Sequence, residues 1–174
     1  MAHASHEIFG DRDHVGRLVI TCEHASNRVP PPLQTTATDR RWLETHWGWD
    51  ISAQEIAREL VRIKDCIAVL CAFSRLVCDP NRKPSHEHYI RPAIEDEPLS
   101  FNQDLTDAEI ARRKETYFDP YHAAIDLCMT ERLQRGGDVV LLSLHTFTPN
   151  FGDEDRSMDV GVLFDQYGAV AERL

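Results

Sequence analysis

Apolar runs of strand length alternate with amphipathic segments along this chain, and the alternation predicts an α/β fold. Residues 17–22, 67–73 and 139–144 are nearly continuous apolar runs, as is typical of strands buried on both faces. Shorter runs at residues 76–78 and 160–164 predict two further strands. Together with the helical segments between them, these runs predict a three-layer domain with a mostly parallel or mixed sheet and helices on both faces.

The helical segments are marked by capping and breaking residues. One begins at Asp50 and repeats apolar residues at helical spacing. The next begins at a capping box, Thr106-Asp107-Ala108-Glu109, and meets Pro120, which interrupts it or opens a second helix. Gly136-Gly137 is expected to end that element. A last helical pattern begins at Gly168.

The pattern favours one domain with two irregular segments. Residues 1–16 are polar and His-rich, and we expect a flexible N-terminal arm rather than a secretory signal. Residues 17–174 are expected to form the single α/β domain. Residues 80–102 contain several Pro and charged residues without periodicity, which predicts a long surface loop and a candidate lid.

Charge and cysteine content narrow the class of protein. The chain has 19 Lys and Arg against 29 Asp and Glu, a formal charge of −10, which disfavours nucleic-acid binding. No apolar run approaches the roughly 20 residues that cross a bilayer, so no membrane partner is expected. The five cysteines are odd in number and form no C-x-x-C pair. We therefore expect free thiols and a cytoplasmic location.

Two histidines follow predicted strands and suggest a metal site. His24 follows the strand at residues 17–22, and His145 follows the strand at residues 139–144. Ligands bind beyond the carboxyl ends of strands in open α/β sheets, so the two imidazoles can converge. Asp50 would complete an open zinc site. The alternatives are that each histidine binds a nearby loop and that Asp50 is a helix N-cap.

A basic block follows the second long strand. The segment Ser74-Arg75-Leu76-Val77-Cys78-Asp79-Pro80-Asn81-Arg82 places two Arg, an Asp and an Asn together. Two guanidinium groups can hold a dicarboxylate in a bidentate manner. The alternative is a loop that is braced by a salt bridge between Asp79 and an arginine.

Five blocks in one order resemble the N-formylglutamate amidohydrolase family, from about Arg17 onward. The blocks are Thr21-Cys22-Glu23-His24-Ala25-Ser26-Asn27-Arg28-Val29-Pro30, His46-Trp47-Gly48-Trp49-Asp50-Ile51, the basic block, Asp119-Pro120-Tyr121-His122, and Leu144-His145-Thr146-Phe147-Thr148-Pro149. The resemblance implies a fold similar to zinc-dependent carboxypeptidases. It also implies metal-dependent cleavage of the N-acyl amide of an acidic amino acid, a small molecule such as N-formylglutamate.

The resemblance also implies residue roles. His24, Asp50 and His145 would bind a divalent metal, with Zn²⁺ as the first choice. Arg75, Asn81 and Arg82 would bind the substrate carboxylate. Tyr121 and His122 match a block, but packing at a helix start is the role we expect for them.

The chain departs from the family pattern at two points. The opening block reads Cys-Glu-His-Ala-Ser-Asn, where formylglutamate deformylases usually show Pro-His-Ser-Gly. Family members also continue past Leu174, and a general-base Glu is expected in that extra segment. Glu23 is the only acid beside a predicted ligand, but continued strand geometry would point it away from His24. Glu23 is therefore the one catalytic candidate within this chain, and the general base is expected beyond residue 174.

Two other functions fit the same residues. A carboxylate-binding or regulatory module could keep the pocket without catalysis. A metal-free hydrolase could use Cys22 as its nucleophile, although buried cysteines are usually inert. The sequence does not predict an oligomeric state.

Overall fold

The computed structural model describes residues 4–13, 16–148, 150–151, 154–155, 157–164 and 168–172. The strands are β1 (His6–Phe9), β2 (Leu18–Cys22), β3 (Cys66–Cys71), β4 (Ala93–Ile94), β5 (Glu97–Pro98), β6 (Val140–Ser143), β7 (Asn150–Phe151) and β8 (Glu154–Asp155). The α-helices are α1 (Ala37–Leu43), α2 (Ala53–Ile63), α3 (Asp107–Arg113), α4 (Asp119–Gln134) and α5 (Gly168–Ala171).

The central sheet has four strands in the order β1-β3-β2-β6. Strand β2 is parallel to both of its neighbours, and β1 is antiparallel to β3. Leu18 pairs with Val140 and Thr21 pairs with Ser143, so β2 and β6 end at the same level. The segments that follow these two strands therefore leave the same edge of the sheet.

Helices cover both faces of the sheet, which confirms the predicted three-layer class. Alternate strand residues point to opposite faces. Val19, Ile67 and Val69 pack towards Tyr121, Ala124 and Cys128 of α4. Ile20, Ala68 and Leu70 pack towards Ala53 and Ala57 of α2. Strands β2 and β3 are apolar at nearly every position because both of their faces are buried.

The N-terminal segment contributes a strand, which differs from the expected flexible arm over residues 1–16. His6 pairs with Cys71 and Phe9 pairs with Ala68 along the outer edge of β3. The guanidinium of Arg58 lies 4.4 Å from the centre of the Phe9 ring and holds β1 against α2. Residues 6–9 form a strand because their backbone pairs with an edge of β3 that would otherwise be open.

A nearly continuous helical segment runs from α3 through one π-helical turn (Lys114–Phe118) into α4. Pro120 lies in the first turn of α4, as expected for a proline that opens a helix. Only half of the predicted capping box forms. The Thr106 side chain accepts a hydrogen bond from the Glu109 backbone, but the Glu109 carboxylate pairs with Arg112 and Arg113. Charge-assisted hydrogen bonds to two guanidinium groups are stronger than the hydrogen bond that the Glu109 carboxylate would accept from the backbone N–H of Thr106.

Residues 80–102 form one wall of the molecule and are irregular over most of their length, in agreement with the predicted surface loop. The segment contains the β4–β5 hairpin and one 3₁₀ turn (Ser100–Asn102). Its apolar side chains are buried, namely Tyr89, Ile94, Leu99 and Phe101. Asn102 donates from its side chain to the carbonyls of Leu76 and Arg91, which ties the wall to the basic block.

Two of the shorter apolar runs do not form strands, and both predictions are wrong. Residues 76–78 form a turn in which the backbone N–H of Val77 donates to the carbonyl of Ser74. Residues 160–164 are irregular, with Val160 82% and Leu163 100% exposed. A run of apolar residues becomes a strand only where a neighbouring edge can pair with it. Within the described part of the chain, no helix is long and apolar enough to span a membrane.

Candidate metal centre and arginine-lined cleft

His24 and His145 meet at the carboxyl edge of the sheet, as the strand ends predict. Each histidine lies two residues beyond the end of its strand, β2 or β6. These strands are parallel neighbours in register. The two ring centres are 4.9 Å apart. Two histidines that are 121 positions apart in the sequence are therefore in ring-to-ring contact in the folded chain.

Asp50 lies between the two imidazoles. Its Oδ2 is 2.8 Å from Nδ1 of His145 and 3.4 Å from Nδ1 of His24. Its backbone N–H donates to the carbonyl of His24 over 2.9 Å. The N-cap of α2 is Ser52, with φ +65° and no side-chain cap. The alternative that the Asp50 carboxylate caps this helix is therefore not what the structure contains.

The three side chains fit a divalent metal. One potential ligand atom from each of His24, Asp50 and His145 lies within 4.8 Å of the other two. The His24 ring is fully buried, and its Nδ1 has no hydrogen-bond partner among the described residues. An unpaired buried polar atom costs about 1–3 kcal/mol. A cation at this point would satisfy that nitrogen, and two imidazoles with one carboxylate are a common donor set for zinc.

Asp79 holds His24 from the other side of its ring. Nε2 of His24 lies 2.8 Å from Oδ1 of Asp79. Because a carboxylate only accepts, this contact places the ring proton on Nε2 and leaves the Nδ1 lone pair towards Asp50. The sequence suggested Asp79 only as a salt-bridge partner of an arginine.

The pKa values of Asp50 and Asp79 are lowered, and the pKa of the buried His24 is raised. Burial raises the pKa of Asp50, but the hydrogen bond from His145 and the nearby imidazole of His24 outweigh it and hold the pKa well below its usual range. The pKa of Asp79 is also lowered, because the contact with His24 outweighs burial. Burial lowers the pKa of His24, yet its contacts with Asp50 and Asp79 raise the net value. A metal would therefore compete with a proton for His24.

Glu23 lies beside His145, contrary to the expectation that it points away from the site. Its Oε2 accepts a hydrogen bond from the Ser143 hydroxyl over 2.8 Å and is 3.4 Å from Nε2 of His145. Strand β2 ends at Cys22, so the alternation of strand side chains does not reach residue 23. Glu23 is largely buried there.

The basic block contacts both acids of the site. Arg75 donates from Nη1 to Oδ1 of Asp50 over 3.2 Å, and its Nε is 3.8 Å from Oδ2 of Asp79. Arg82 donates from Nε to Oδ2 of Asp79 over 3.2 Å. The side-chain nitrogen of Asn81 is 3.4 Å from Nε2 of His145. The predicted salt bridge and a guanidinium cluster beside the histidines are therefore both present.

A cleft of about 650 Å³ opens beside these residues. Its walls include Arg75, Arg82, Asp50 and Asp79, together with Trp47 and Arg91. The sequence prediction missed Arg91 because residues 80–102 have no pattern that indicates which side chains face a site. It missed the role of Asp79 because that role depends on how the turn at residues 76–78 folds back towards β2.

The remaining candidates of the sequence have supporting positions. Nε2 of His122 donates to the carbonyl of Pro80 over 3.0 Å, so α4 braces the basic block. Tyr121 is fully buried in the core beneath the sheet. Cys22 is fully buried, and burial raises the pKa of its thiol to about 12. Such a thiol is a poor nucleophile.

Comparisons with known proteins identify a family and a shared fold. The sequence profile of the N-formylglutamate amidohydrolase family matches residues 16–174. The crystal structure of a gene product from Agrobacterium tumefaciens is similar, with 29% identity and a TM-score of 0.87 over 98% of this chain and 68% of that chain. N-formylglutamate amidohydrolase from Ralstonia eutropha JMP134 has the same fold, with 22% identity and a TM-score of 0.69 over 82% of this chain and 57% of that chain. A search of curated protein sequences gave no match.

Proposed function

The chain belongs to the N-formylglutamate amidohydrolase family, and from that premise we propose that it is a metal-dependent amidohydrolase. Its substrate would be an N-acyl acidic amino acid such as N-formylglutamate, and its metal would be Zn²⁺. The observation that carries this proposal is the convergence of His24, Asp50 and His145 beside an arginine-lined cleft.

The metal would be held by Nδ1 of each histidine and by the carboxylate of Asp50. A divalent cation supplies Lewis acidity, which polarises an amide carbonyl and lowers the pKa of a water towards about 7. Asp79 keeps the His24 ring in the tautomer that leaves Nδ1 free. Asp50 is ionised and so has no proton to lose before it binds a cation.

The substrate carboxylate would bind at the basic block. Arg75 and Arg82 line the cleft, and the side-chain nitrogen of Asn81, in the same block, lies 3.4 Å from Nε2 of His145. Guanidinium groups bind carboxylates in a bidentate manner, which gives geometric specificity as well as affinity. The net charge of −10 makes such a local positive cluster necessary for an anionic substrate.

Glu23 has two possible roles, general base or support for His145. Its Oε2 already accepts from Ser143 and lies beside Nε2 of His145. Nε2 is the nitrogen on the far side of the ring from the atom that faces Asp50. This arrangement favours a positioning role, in which Glu23 orients His145 as Asp79 orients His24.

The test is hydrolysis of N-formyl-L-glutamate by the purified protein with added zinc. We expect formate and glutamate to appear in equal amounts, activity to be lost on chelation, and activity to return with zinc. The variants His24→Ala and His145→Ala should lose this activity. His46→Ala is the control for metal content, which it should keep, because His46 lines the cleft but lies outside the ligand group. Formate release that chelators leave unchanged would contradict a metal mechanism.

A carboxylate-binding module is the second candidate, and one observation favours it. Among the described residues of the site, Asp50, Asp79 and Glu23 all have hydrogen-bond partners. None of these carboxylates stands free to take a proton from a water. This candidate predicts that N-formylglutamate raises the melting temperature of the zinc-loaded protein while no formate is released.

A further inference from the structure

The two arginines of the basic block already have acidic partners. Arg75 pairs with Asp50, and Arg82 pairs with Asp79. Part of the positive charge of both guanidinium groups is therefore neutralised within the protein. A substrate carboxylate would have to share these groups with Asp50 and Asp79.

Arg91 lines the same cleft but has no acidic partner. Among the described residues, its guanidinium makes no hydrogen bond or ion pair, and its side-chain contact is with the Trp47 ring, 5.3 Å from the ring centre. Burial and then the nearby charges of Arg82 and Arg75 lower the pKa of Arg91, and they outweigh the opposing charges of Asp79 and Glu87. The positive charge of Arg91 is thus repelled by the two neighbouring guanidinium groups, and an anion bound in the cleft would reduce this repulsion.

The backbone around Arg91 is held in place, so its side chain is presented from a fixed wall. Its carbonyl accepts from the Asn102 side chain over 2.7 Å. The next residue, Pro92, accepts from the backbone N–H of Leu99 over 2.9 Å. A pre-positioned guanidinium loses less entropy when it binds a carboxylate than one on a mobile loop.

We infer that Arg91 is a specificity residue that binds one carboxylate of a dicarboxylic substrate, while the basic block binds the other. The inference rests on the proposed function and names the residue that separates dicarboxylic from monocarboxylic N-acyl amino acids. A divalent metal ion together with Arg75, Arg82 and Arg91 carries five positive charges, and the carboxylates that line the same cleft, Asp50, Asp79 and Glu95, offset three of them. A dianion fits this excess better than a monoanion does.

The test measures binding of glutarate and of its monoamide, glutaramate, to the zinc-supplemented protein by calorimetry. The two probes have the same length and differ by one carboxylate. We expect the wild type to prefer glutarate and Arg91→Gln to lose about 10- to 100-fold of glutarate affinity, the range for a hydrogen bond to a charged group. Glutaramate affinity and zinc content should stay unchanged. The glutarate affinity of Arg91→Lys should lie between those of the wild type and Arg91→Gln, because an ammonium point charge replaces the planar guanidinium.

Arg41→Gln is the matched control, because Arg41 also lies over a tryptophan, Trp42, but outside the cleft. It should bind both probes as the wild type does. A wild type without preference, or a preference that survives in Arg91→Gln, would overturn the inference. Formate release is measured separately. A preference for glutarate that depends on Arg91, without formate release, would contradict the hydrolase and support the role of Arg91. Formate release with a preference that is unaltered in Arg91→Gln would support the hydrolase and contradict the role of Arg91.

Discussion

Nε2 of His24 lies 2.8 Å from Oδ1 of Asp79, in the buried floor of the site. The contact turns the unpaired Nδ1 towards Asp50 and His145. A carboxylate that holds a ligating histidine typically contributes 10- to 100-fold to metal affinity. The site therefore depends on a residue that is not itself a ligand.

Removing the charge of Asp79 should weaken metal binding without removing a ligand. Asp79→Asn keeps the size and one acceptor oxygen, but the neutral amide polarises the His24 ring less. We expect the zinc dissociation constant to rise about 10- to 100-fold, measured by competition with a chromophoric chelator. Asp126→Asn, on the exposed face of α4, is the control and should bind zinc normally. Unchanged affinity in Asp79→Asn would contradict the role of Asp79.

Glu23→Gln should separate the two roles of Glu23. A positioning residue affects how tightly His145 holds the metal, so the zinc dissociation constant should rise while kcat at saturating zinc changes little. A general base would instead lower kcat by about 10²- to 10⁴-fold even with the metal site full. Glu55→Gln, an exposed acid in the first turn of α2, serves as the comparison. A lowered kcat at saturating zinc would make Glu23 a catalytic residue.

The ion pairs of Glu109 should make folding stability depend on pH. Contacts with Arg112 and Arg113 lower the pKa of Glu109 from 4.5 to about 2. A carboxyl whose pKa is lowered on folding stabilises the folded state. The stabilisation is complete at pH values above the pKa of the unfolded state, and it is lost as pH falls from about 4.5 to about 2. Glu109→Gln should therefore cost about 1–2 kcal/mol in urea unfolding at pH 7, since the pair is partly solvent-screened.

The same difference should shrink steadily in unfolding experiments at pH 5, 4 and 3. Glu115→Gln is the control, because Glu115 is exposed in the adjoining π-helical turn. Glu115→Gln should neither lower the free energy of unfolding at pH 7 nor show a dependence of that difference on pH. A pH-independent difference for Glu109→Gln would mean that packing, rather than charge, explains the effect.

Cys22 should be dispensable for catalysis. The thiol is fully buried, and its pKa of about 12 leaves almost no thiolate at neutral pH. We expect Cys22→Ala to keep its zinc content and its formate release, and iodoacetamide to leave native activity intact. Lost activity in Cys22→Ala, combined with insensitivity to chelators, would instead support a cysteine hydrolase.

The sequence predicts the parts of the fold that depend on local burial. Residues 18–22 and 140–143 are apolar at nearly every position, which is enough to place them inside a sheet. Their parallel pairing then brings His24 and His145 to one edge. The meeting of the two histidines could be predicted because strand ends are visible in the pattern.

The features that the sequence missed depend on pairing between distant segments. Strand β1 forms because β3 has an open edge, and nothing within His6–Phe9 indicates that edge. Residues 160–164 have a strand-like pattern but lie exposed without a partner in the described chain. Arg91 reaches the cleft because Tyr89 and Ile94 anchor its segment in the core. Such contacts are properties of the folded chain.

The most direct test of the account is the metal content of the purified protein after zinc loading and exhaustive dialysis. We predict one zinc per chain in the wild type and in His46→Ala, and a loss of that zinc in both His24→Ala and His145→Ala. Circular dichroism would check that each variant is folded. A wild type without bound metal, or zinc retained by both ligand variants, would contradict the central claim.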